Sequence, residues 1–199
     1  MPTQHFLSFF FFLLFSCNTL TSTSSPSFEK EETHHFVRSI DPKSLHQNNR
    51  EKLSHFRFFW HDIMSGKNPT SVTVVPLPLK LNTSTSFGLV NIIDNPLTLG
   101  PKMTSKLVGN AQGFYASTSK DDFSLFMAMT FAFIEGNYND STITILGRNS
   151  ALNKVREMPI VGGTGRFRFA RGYAQTKTYQ YETKSQDTTV EYNVYVFYY

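Results

Sequence analysis

The stretch FSLFMAMTFAFIE, residues 123–135, decides the fold class. Its aromatic and long aliphatic side chains recur at every second position, and most of the positions between them are also apolar. A period of two is typical of a β-strand. The Met-Ala-Met run is compatible with a helix, but the aromatic content and the turn that follows favour the strand. Because an antiparallel strand normally leaves one face to water, the second apolar face predicts a further cover, from another sheet, a helix or another subunit.

Short apolar strands and turn signals continue on both sides of this stretch. Residues 136–140 predict a hairpin turn and residues 141–148 the return strand. We expect Asn95-Pro96 to end the strand that begins near residue 87, and residues 149–157 to form a longer loop. Other strands are predicted at 56–63, 70–75, 106–117, 166–178 and 190–199, and residues 159–161 lead into the glycines at 162–165. About eight strands around one core predict an all-β fold, an antiparallel up-and-down barrel or a sandwich, and a barrel of this size has room for one small ligand.

The N-terminal region has the character of a targeting segment. Residues 6–16 read FLSFFFFLLFS, an apolar run too short to span a bilayer comfortably, which favours a signal peptide over residues 1–25 rather than a membrane anchor. Residues 26–52 are polar and predict a flexible leader, so the folded domain is expected at 53–199. The single cysteine, Cys17, lies in the signal, which leaves the mature chain without a disulfide or a thiol nucleophile.

The remaining composition narrows the class of function. The 199 residues carry a formal net charge of +4 without the basic stripe that nucleic-acid binding needs. The sequence contains no P-loop, and the glycines at 162–165 predict a tight turn rather than a nucleotide site. The pair His34-His35 lacks a third ligand nearby, so no metal site is predicted. Asn82 and Asn139 begin sequons that secretion would make available for glycosylation.

Two polar residues inside aromatic strands are candidates for chemistry. Asp62 follows Phe58-Phe59-Trp60, where burial would keep its carboxyl protonated and make it an acid; a surface carboxylate at a strand end is the alternative. Tyr115 can donate through its hydroxyl and stack through its ring, or simply pack in the core.

Four blocks of sequence, in order and at the expected spacing, resemble the plant dirigent family. They are FWHDI at 59–63, AQGFY at 111–115, REMPIVGGTG at 156–165 and FARGY at 169–173. The resemblance runs from about residue 56 to the C-terminus. It implies an eight-stranded antiparallel barrel, a homotrimer, and secretion to the apoplast.

The resemblance also implies a function. Family members steer the coupling of phenoxy radicals, such as those of coniferyl alcohol, toward one enantiomer of a lignan. A separate laccase or peroxidase makes the radicals, so the protein itself needs no cofactor and no metal. The expected partners are therefore a phenolic small molecule, the oxidase and further copies of the chain, with no nucleic acid and no membrane after signal cleavage.

Residue by residue, the resemblance implies catalytic roles for Asp62, Tyr115 and Arg156. Substrate-binding residues are expected at Phe59, Asn149 and Phe169. Asn149 departs from the pattern, because lignan-forming members carry an aspartate there and an amide cannot exchange a proton as a carboxyl group does. Two alternatives follow. One is the branch that dehydrates isoflavanols to pterocarpans through a quinone methide, a lyase reaction; the other is a defence protein that binds phenolics without changing them.

Overall fold

Nine β-strands account for most of the regular structure in the computed structural model, which describes residues 50–77 and 84–199. The strands are β1 (Lys52–Asp62), β2 (Ser71–Val75), β3 (Val90–Thr98), β4 (Leu107–Ser117), β5 (Ser124–Phe133), β6 (Thr142–Ser150), β7 (Arg156–Thr164), β8 (Arg171–Tyr181) and β9 (Thr188–Tyr198). In this part of the chain, no helix has the length and apolar character needed to cross a membrane. The predicted signal peptide and all but the end of the predicted leader lie outside the described residues.

Eight of these strands close into an antiparallel barrel. Strands β3 to β9 follow one another as neighbours, and β1 lies beside β9. The barrel closes where Phe59 and Trp60 of β1 pair with Thr98 and Leu97 of β3. The ninth strand, β2, pairs with the beginning of β3 and extends the sheet next to this closure. The predicted eight-stranded barrel is confirmed, and the sandwich is excluded because closure leaves a single continuous sheet.

An aromatic core fills one end of the barrel. On β5, the side chains of Met127, Met129, Phe131 and Phe133 point inward and are almost fully buried, as the period of two predicts. The ring of Phe131 meets the ring of Phe58 edge to face, with 5.1 Å between centroids. Burial of each such side chain stabilises the fold by roughly 1.5–3 kcal/mol. The core therefore holds the strands in the positions from which they line the other end.

The part of the chain that the structure describes does not cover the outer face of β5, although the sequence predicts a cover there. Phe126 is 37% exposed, Ile134 just beyond the strand is 52% exposed, and Ala128 and Ala132 are half-buried. The described residues place no second layer over this face. Cover from another subunit stays a prediction.

The prediction that Asn95-Pro96 ends a strand is wrong. β3 begins at Val90 and continues through both residues to Thr98. Asp94 donates its backbone N–H to the carbonyl of Thr70, on the side of β3 that pairs first with β2 and then with β1. Because the N–H groups of alternate residues in a strand point to the same side, the nitrogen of Pro96 also points to this side. It lies where the partner of β3 changes from β2 to β1. A proline that lacks a donor is tolerated at such an irregularity. The loop predicted at 149–157 is also shorter, because β6 ends at Ser150 and β7 begins at Arg156.

The strand predicted at 166–178 is wrong in its first part. Gly165–Phe167 forms a 3₁₀ turn, Phe169 has a φ of 62°, and β8 begins only at Arg171. Gly165 has a φ of 60°, and a Cβ there would lie 2.6 Å from the hydroxyl oxygen of Ser141. The chain thus leaves the sheet at a position that suits glycine, and the turn buries Phe167 in the core.

Candidate functional site

The open end of the barrel contains a cavity of about 600 Å³. Its walls are largely apolar, with Trp60 of β1, Leu125 and Met127 of β5, and Val190 of β9 among the lining residues. The buried ionisable groups of its lining lie at two places, which we call the Asp62 corner and the Arg156 corner. The volume lies within the range of about 300–1,000 Å³ that is typical of pockets for small molecules.

The Asp62 corner is a network of hydrogen bonds among buried side chains. Tyr115 donates its hydroxyl hydrogen to Oδ2 of Asp62 over 2.9 Å, and the amide of Asn95 donates to Oδ1 over 3.0 Å. The amide of Asn91 donates to the Tyr115 hydroxyl oxygen over 2.6 Å, and the hydroxyl of Ser71 lies 3.3 Å from that oxygen. The carboxyl group is therefore held in one orientation at the cavity wall.

Barrel closure brings this corner together. Asp62 is the last residue of β1, and Asn91 and Asn95 lie on the inward face of β3. Tyr115 on β4 stands directly opposite Asn91 in the strand register. Because β1 pairs with β3 at the closure, residues far apart in the chain meet at one point of the wall.

Burial controls the protonation of the Asp62 corner. Removal from water raises the pKa of Asp62; the hydrogen bonds from Asn95 and Tyr115 oppose that rise, and the nearby charge of Asp187 adds to it. Burial and the neighbouring Asp62 also raise the pKa of Tyr115, so the phenol keeps its proton. A carboxyl group that retains a proton beyond the usual range is suited to act as a general acid.

The Arg156 corner is a buried cation with neutral partners. The guanidinium donates from Nε to Oδ1 of Asn149 over 3.1 Å, and from Nη1 to the hydroxyl of Thr178 over 2.8 Å and to the carbonyl of Asn153 over 3.4 Å. Within residues 50–77 and 84–199, no carboxylate forms an ion pair with it. Burial lowers the pKa of Arg156, but an arginine starts so far above neutrality that it stays charged.

Of the residues predicted from the sequence, Asp62, Tyr115, Arg156 and Asn149 all line this one cavity. Phe59 and Phe169 do not line it. Phe59 lies on the opposite face of β1 from Trp60 and packs against the ring of Tyr179 at 5.5 Å between centroids, whereas Phe169 is 55% exposed in the turn before β8. Their proposed contact with substrate therefore has no support from this cavity.

The two sequons differ in what the structure shows. Asn139 is exposed in the turn between β5 and β6, so its side chain is accessible for attachment of a glycan. Asn82 lies outside the described residues. Glycosylation at either position stays a prediction.

Sequence reasoning missed the amides of the Asp62 corner. Asn91 and Asn95 are nearly inaccessible to solvent, and each keeps its Oδ1 buried without a hydrogen-bond partner in the described residues. The indole nitrogen of Trp60, which also lines the cavity, is likewise buried without a hydrogen-bond partner in the described residues. The signal was present in the sequence, since two asparagines four residues apart share a face of a strand that is otherwise apolar inward.

The described residues contain no group of three or more histidine, cysteine, aspartate or glutamate side chains placed to hold a metal ion. The chemistry that the cavity itself offers is a proton donor at the Asp62 corner and a fixed positive charge at the Arg156 corner, separated by apolar walls.

Comparisons with known proteins agree on one family. The model of the Dirigent-like protein family matches residues 53–197. The chain is 52% identical over 164 residues to Dirigent protein 7 of Arabidopsis thaliana, which covers 82% of this chain and 86% of that protein. It is 49% identical over 150 residues to Pterocarpan synthase 1 of Glycyrrhiza echinata, which covers 75% of this chain and 80% of that one. A solved structure of a pterocarpan synthase dirigent protein has a TM-score of 0.75 at 47% identity and covers 82% of this chain and 99% of the solved one.

Proposed function

The chain belongs to the dirigent-like protein family, and we propose that it binds a phenolic small molecule in the barrel cavity and controls the stereochemistry of a reaction that passes through a quinone methide. The observation that carries this proposal is the Asp62 corner. A buried carboxyl group, oriented by Tyr115 and Asn95, faces a cavity with apolar walls. Such walls favour flat aromatic rings, and the carboxyl group supplies a proton at a fixed place.

The reaction that this arrangement suits best is the dehydration of an isoflavanol to a pterocarpan. Asp62 gives its proton to the benzylic hydroxyl, the C–O bond breaks, and water leaves with the bonding electrons. The phenol conjugated with that carbon releases its proton to water, which gives the neutral quinone methide. The second phenol of the same molecule then attacks the benzylic carbon. Its proton returns to Asp62, the first phenol regains a proton, and the net change is the loss of one water molecule.

Two observations support dehydration over radical coupling. Asp62 is the only carboxylic acid among the described residues that line the cavity, and the position where lignan-forming members carry a second one holds Asn149. A single acid is sufficient to expel one hydroxyl group and to recover its proton. The similarity to pterocarpan synthases, in sequence and in solved structure, points the same way.

Stereoselective coupling of monolignol radicals is the second candidate. The apolar side chains of Trp60, Leu125 and Met127 offer surfaces on which a phenoxy ring could stack, and selecting the face of a radical requires position rather than proton transfer. In this case a laccase or peroxidase is the partner that supplies coniferyl alcohol radicals. The third candidate function is binding of a phenolic molecule without changing it, as in a defence protein.

One set of incubations separates these functions. Residues 26–199 are incubated with racemic isoflavanol alone, and separately with coniferyl alcohol and a laccase, with and without the protein; chiral chromatography reads the products. We expect pterocarpan from isoflavanol without any oxidase. Enantiomeric excess of lignan only in the presence of the protein would replace dehydration with coupling. Binding of both phenols with no change in either product mixture would leave the third function.

The cellular setting and the assembly are further proposals. The apolar segment at 6–16 supports secretion to the apoplast, where an acidic polymer matrix and extracellular oxidases would surround the protein. The apolar face of β5, with Phe126 and its small neighbours, is left open by the described residues, which supports association with further copies of the chain. A homotrimer is the state that the family resemblance implies.

A further inference from the structure

The Arg156 corner contains a donor edge that has no hydrogen-bond partner among the described residues. The three hydrogen bonds of the guanidinium involve Nε and Nη1, and Nη2 takes part in none of them. Arg156 is only 6% exposed, yet it lines the cavity. A guanidinium carries five N–H donors in a planar fork, so the Nη2 edge is available to an acceptor inside the cavity.

In residues 50–77 and 84–199, no carboxylate is paired with the positive charge at this corner. Lys154, in the loop before β7, and Lys177 of β8 add two further cations to the cavity lining. Burial raises the pKa of Asp62 on β1, which favours its neutral form, and it also raises the pKa of Tyr192 on β9, a buried phenol that keeps its proton. Glu157 follows Arg156 in the strand but points to the other face, where it accepts a hydrogen bond from Gln175. A buried charge without a counter-charge favours any ligand that supplies one.

The residue at position 149 maintains this imbalance. Asn149 offers Arg156 a neutral amide oxygen, 3.1 Å from Nε. An aspartate of the same shape at this point would place a carboxylate on the guanidinium and satisfy its charge within the protein. The amide instead fixes the position of the guanidinium without neutralising it, so the positive charge is available to a ligand in the cavity.

We propose that the Arg156 corner is a subsite for an anionic oxygen of the aromatic ligand, a carboxylate or an ionised phenol. The inference deepens the proposed function and rests on it, because it concerns the charge of the phenolic molecule that the same cavity binds. Charge-assisted bonds from a guanidinium are about twice as strong as neutral ones, and exclusion of water strengthens them further.

A pair of ligands tests the carboxylate. Ferulate and coniferyl alcohol share the same methoxyphenol ring and propenyl chain, and differ in a carboxylate against a neutral CH₂OH group. Titration calorimetry on residues 26–199 at neutral pH is expected to show ferulate binding about tenfold more tightly, which corresponds to one charge-assisted contact. Raising the salt concentration should reduce this preference only in part, because the contact is buried.

A third probe tests the phenolate. Vanillin has no carboxylate, and the carbonyl group opposite its hydroxyl makes that phenol acidic enough to ionise near neutral pH. Spectrophotometric titration of vanillin bound to the protein should give an apparent pKa for its phenol about one unit below that of free vanillin. One unit corresponds to roughly tenfold tighter binding of the ionised form.

Two variants locate the effect. Asn149→Asp should abolish both the preference for ferulate and the shift in vanillin, because its carboxylate would neutralise Arg156. Asn153→Asp is the matched control: it makes the same chemical change in the same lining, but on an exposed side chain whose backbone carbonyl alone contacts Arg156. It should retain most of both effects. Thermal unfolding confirms that each variant is folded, and the wild-type measurements stand without them.

The outcomes are distinguishable. A ferulate preference without a vanillin shift assigns the carboxylate, and the reverse assigns the phenolate; either supports the subsite. Equal affinity for ferulate and coniferyl alcohol together with an unshifted vanillin phenol would overturn it and leave the proposed function intact. No binding of any of the three phenols would overturn the phenolic cavity itself.

Discussion

The Asp62 corner and the Arg156 corner begin from the same burial, and their pKa values move in opposite directions. Each places one ionisable side chain, about 6% exposed, at the wall of the same cavity, and each surrounds it with amide and hydroxyl groups rather than with an opposite charge. Loss of water penalises the charged form in both. It raises the pKa of Asp62 and lowers the pKa of Arg156.

The difference comes from the distance between each intrinsic pKa and neutral pH. A carboxyl group starts near pH 4, so a moderate penalty carries it toward the range where the cell operates and makes it a proton donor. A guanidinium starts above pH 12, and the same penalty leaves it a cation. One apolar cavity therefore contains a group that can gain or lose a proton and a group that stays positively charged, and neither forms an ion pair within the described residues.

Asp62→Asn is expected to have the largest effect. The amide has the shape of the carboxyl group but no proton to give, so the dehydration rate should fall by about 10²–10⁴-fold. Ligand binding, read by quenching of Trp60, should change little, and the single tryptophan of the chain makes this readout specific to the cavity. Asp94→Asn is the control, because Asp94 lies exposed on the outer face of β3. A rate for Asp62→Asn close to that of the wild type would remove the general acid from the proposal.

Tyr115→Phe should have a smaller effect and a diagnostic one. It removes the hydrogen bond that favours the ionised form of Asp62, so the pKa of Asp62 should rise further. Because the protonated form is the active one, activity is lost as the pH rises through that pKa. The alkaline limb of the rate profile should therefore move to higher pH, while the maximal rate falls roughly 10- to 100-fold through loss of orientation.

The matched control for this variant is Tyr173→Phe, since Tyr173 contacts Tyr195 on the outer face of the barrel. It should leave the profile unchanged. A limb that moves to lower pH in Tyr115→Phe would contradict the hydrogen-bond assignment. Loss of stability is expected as well, by about 1–3 kcal/mol, because the amide of Asn91 loses its buried acceptor.

The smallest expected effect is on how the free energy of unfolding varies with pH. The pKa of Asp62 is higher in the folded than in the unfolded chain, so the folded state binds more protons between the two values. Its contribution is fully present below the unfolded value of about 4 and is lost as the pH rises through the folded value. Urea unfolding at a series of pH values should show the wild type losing free energy of unfolding relative to Asp62→Asn across that window. The Arg156 corner adds no slope there, because it stays protonated in both states. A difference between the two proteins that does not vary with pH would contradict the raised pKa of Asp62 in the folded state.

The sequence predicts the strands of this barrel better than their ends. The alternation of residues 123–135 correctly groups the side chains of β5 into two faces, because successive residues of a strand point to opposite sides. The burial of Met127, Met129, Phe131 and Phe133 shows that theirs is the inward face. The boundary at Pro96 and the start of β8 escape prediction. Proline and glycine weaken a strand locally. Whether the strand continues through such a residue or ends there depends on its pairing with the neighbouring strands.

The candidate site divides in the same way. The family blocks identify Asp62, Tyr115 and Arg156 as candidates, but the same blocks begin with Phe59 and Phe169, which were also predicted to bind substrate and lie outside the cavity lining. Alternation alone separates Phe59 from Asp62, because residues three apart on a strand point to opposite faces.

By itself, the sequence determined the class of this protein: an all-β chain with apolar periodicity, and the residue types that an acid and a cation require. Only the tertiary structure decided that these residues share a cavity and what charge each carries. Asp62 and Asn95 are 33 positions apart, and the closure of β1 on β3 brings them into contact. The charge state of each corner depends on how much water the assembled walls exclude, a property of the whole barrel that no local pattern of residues contains.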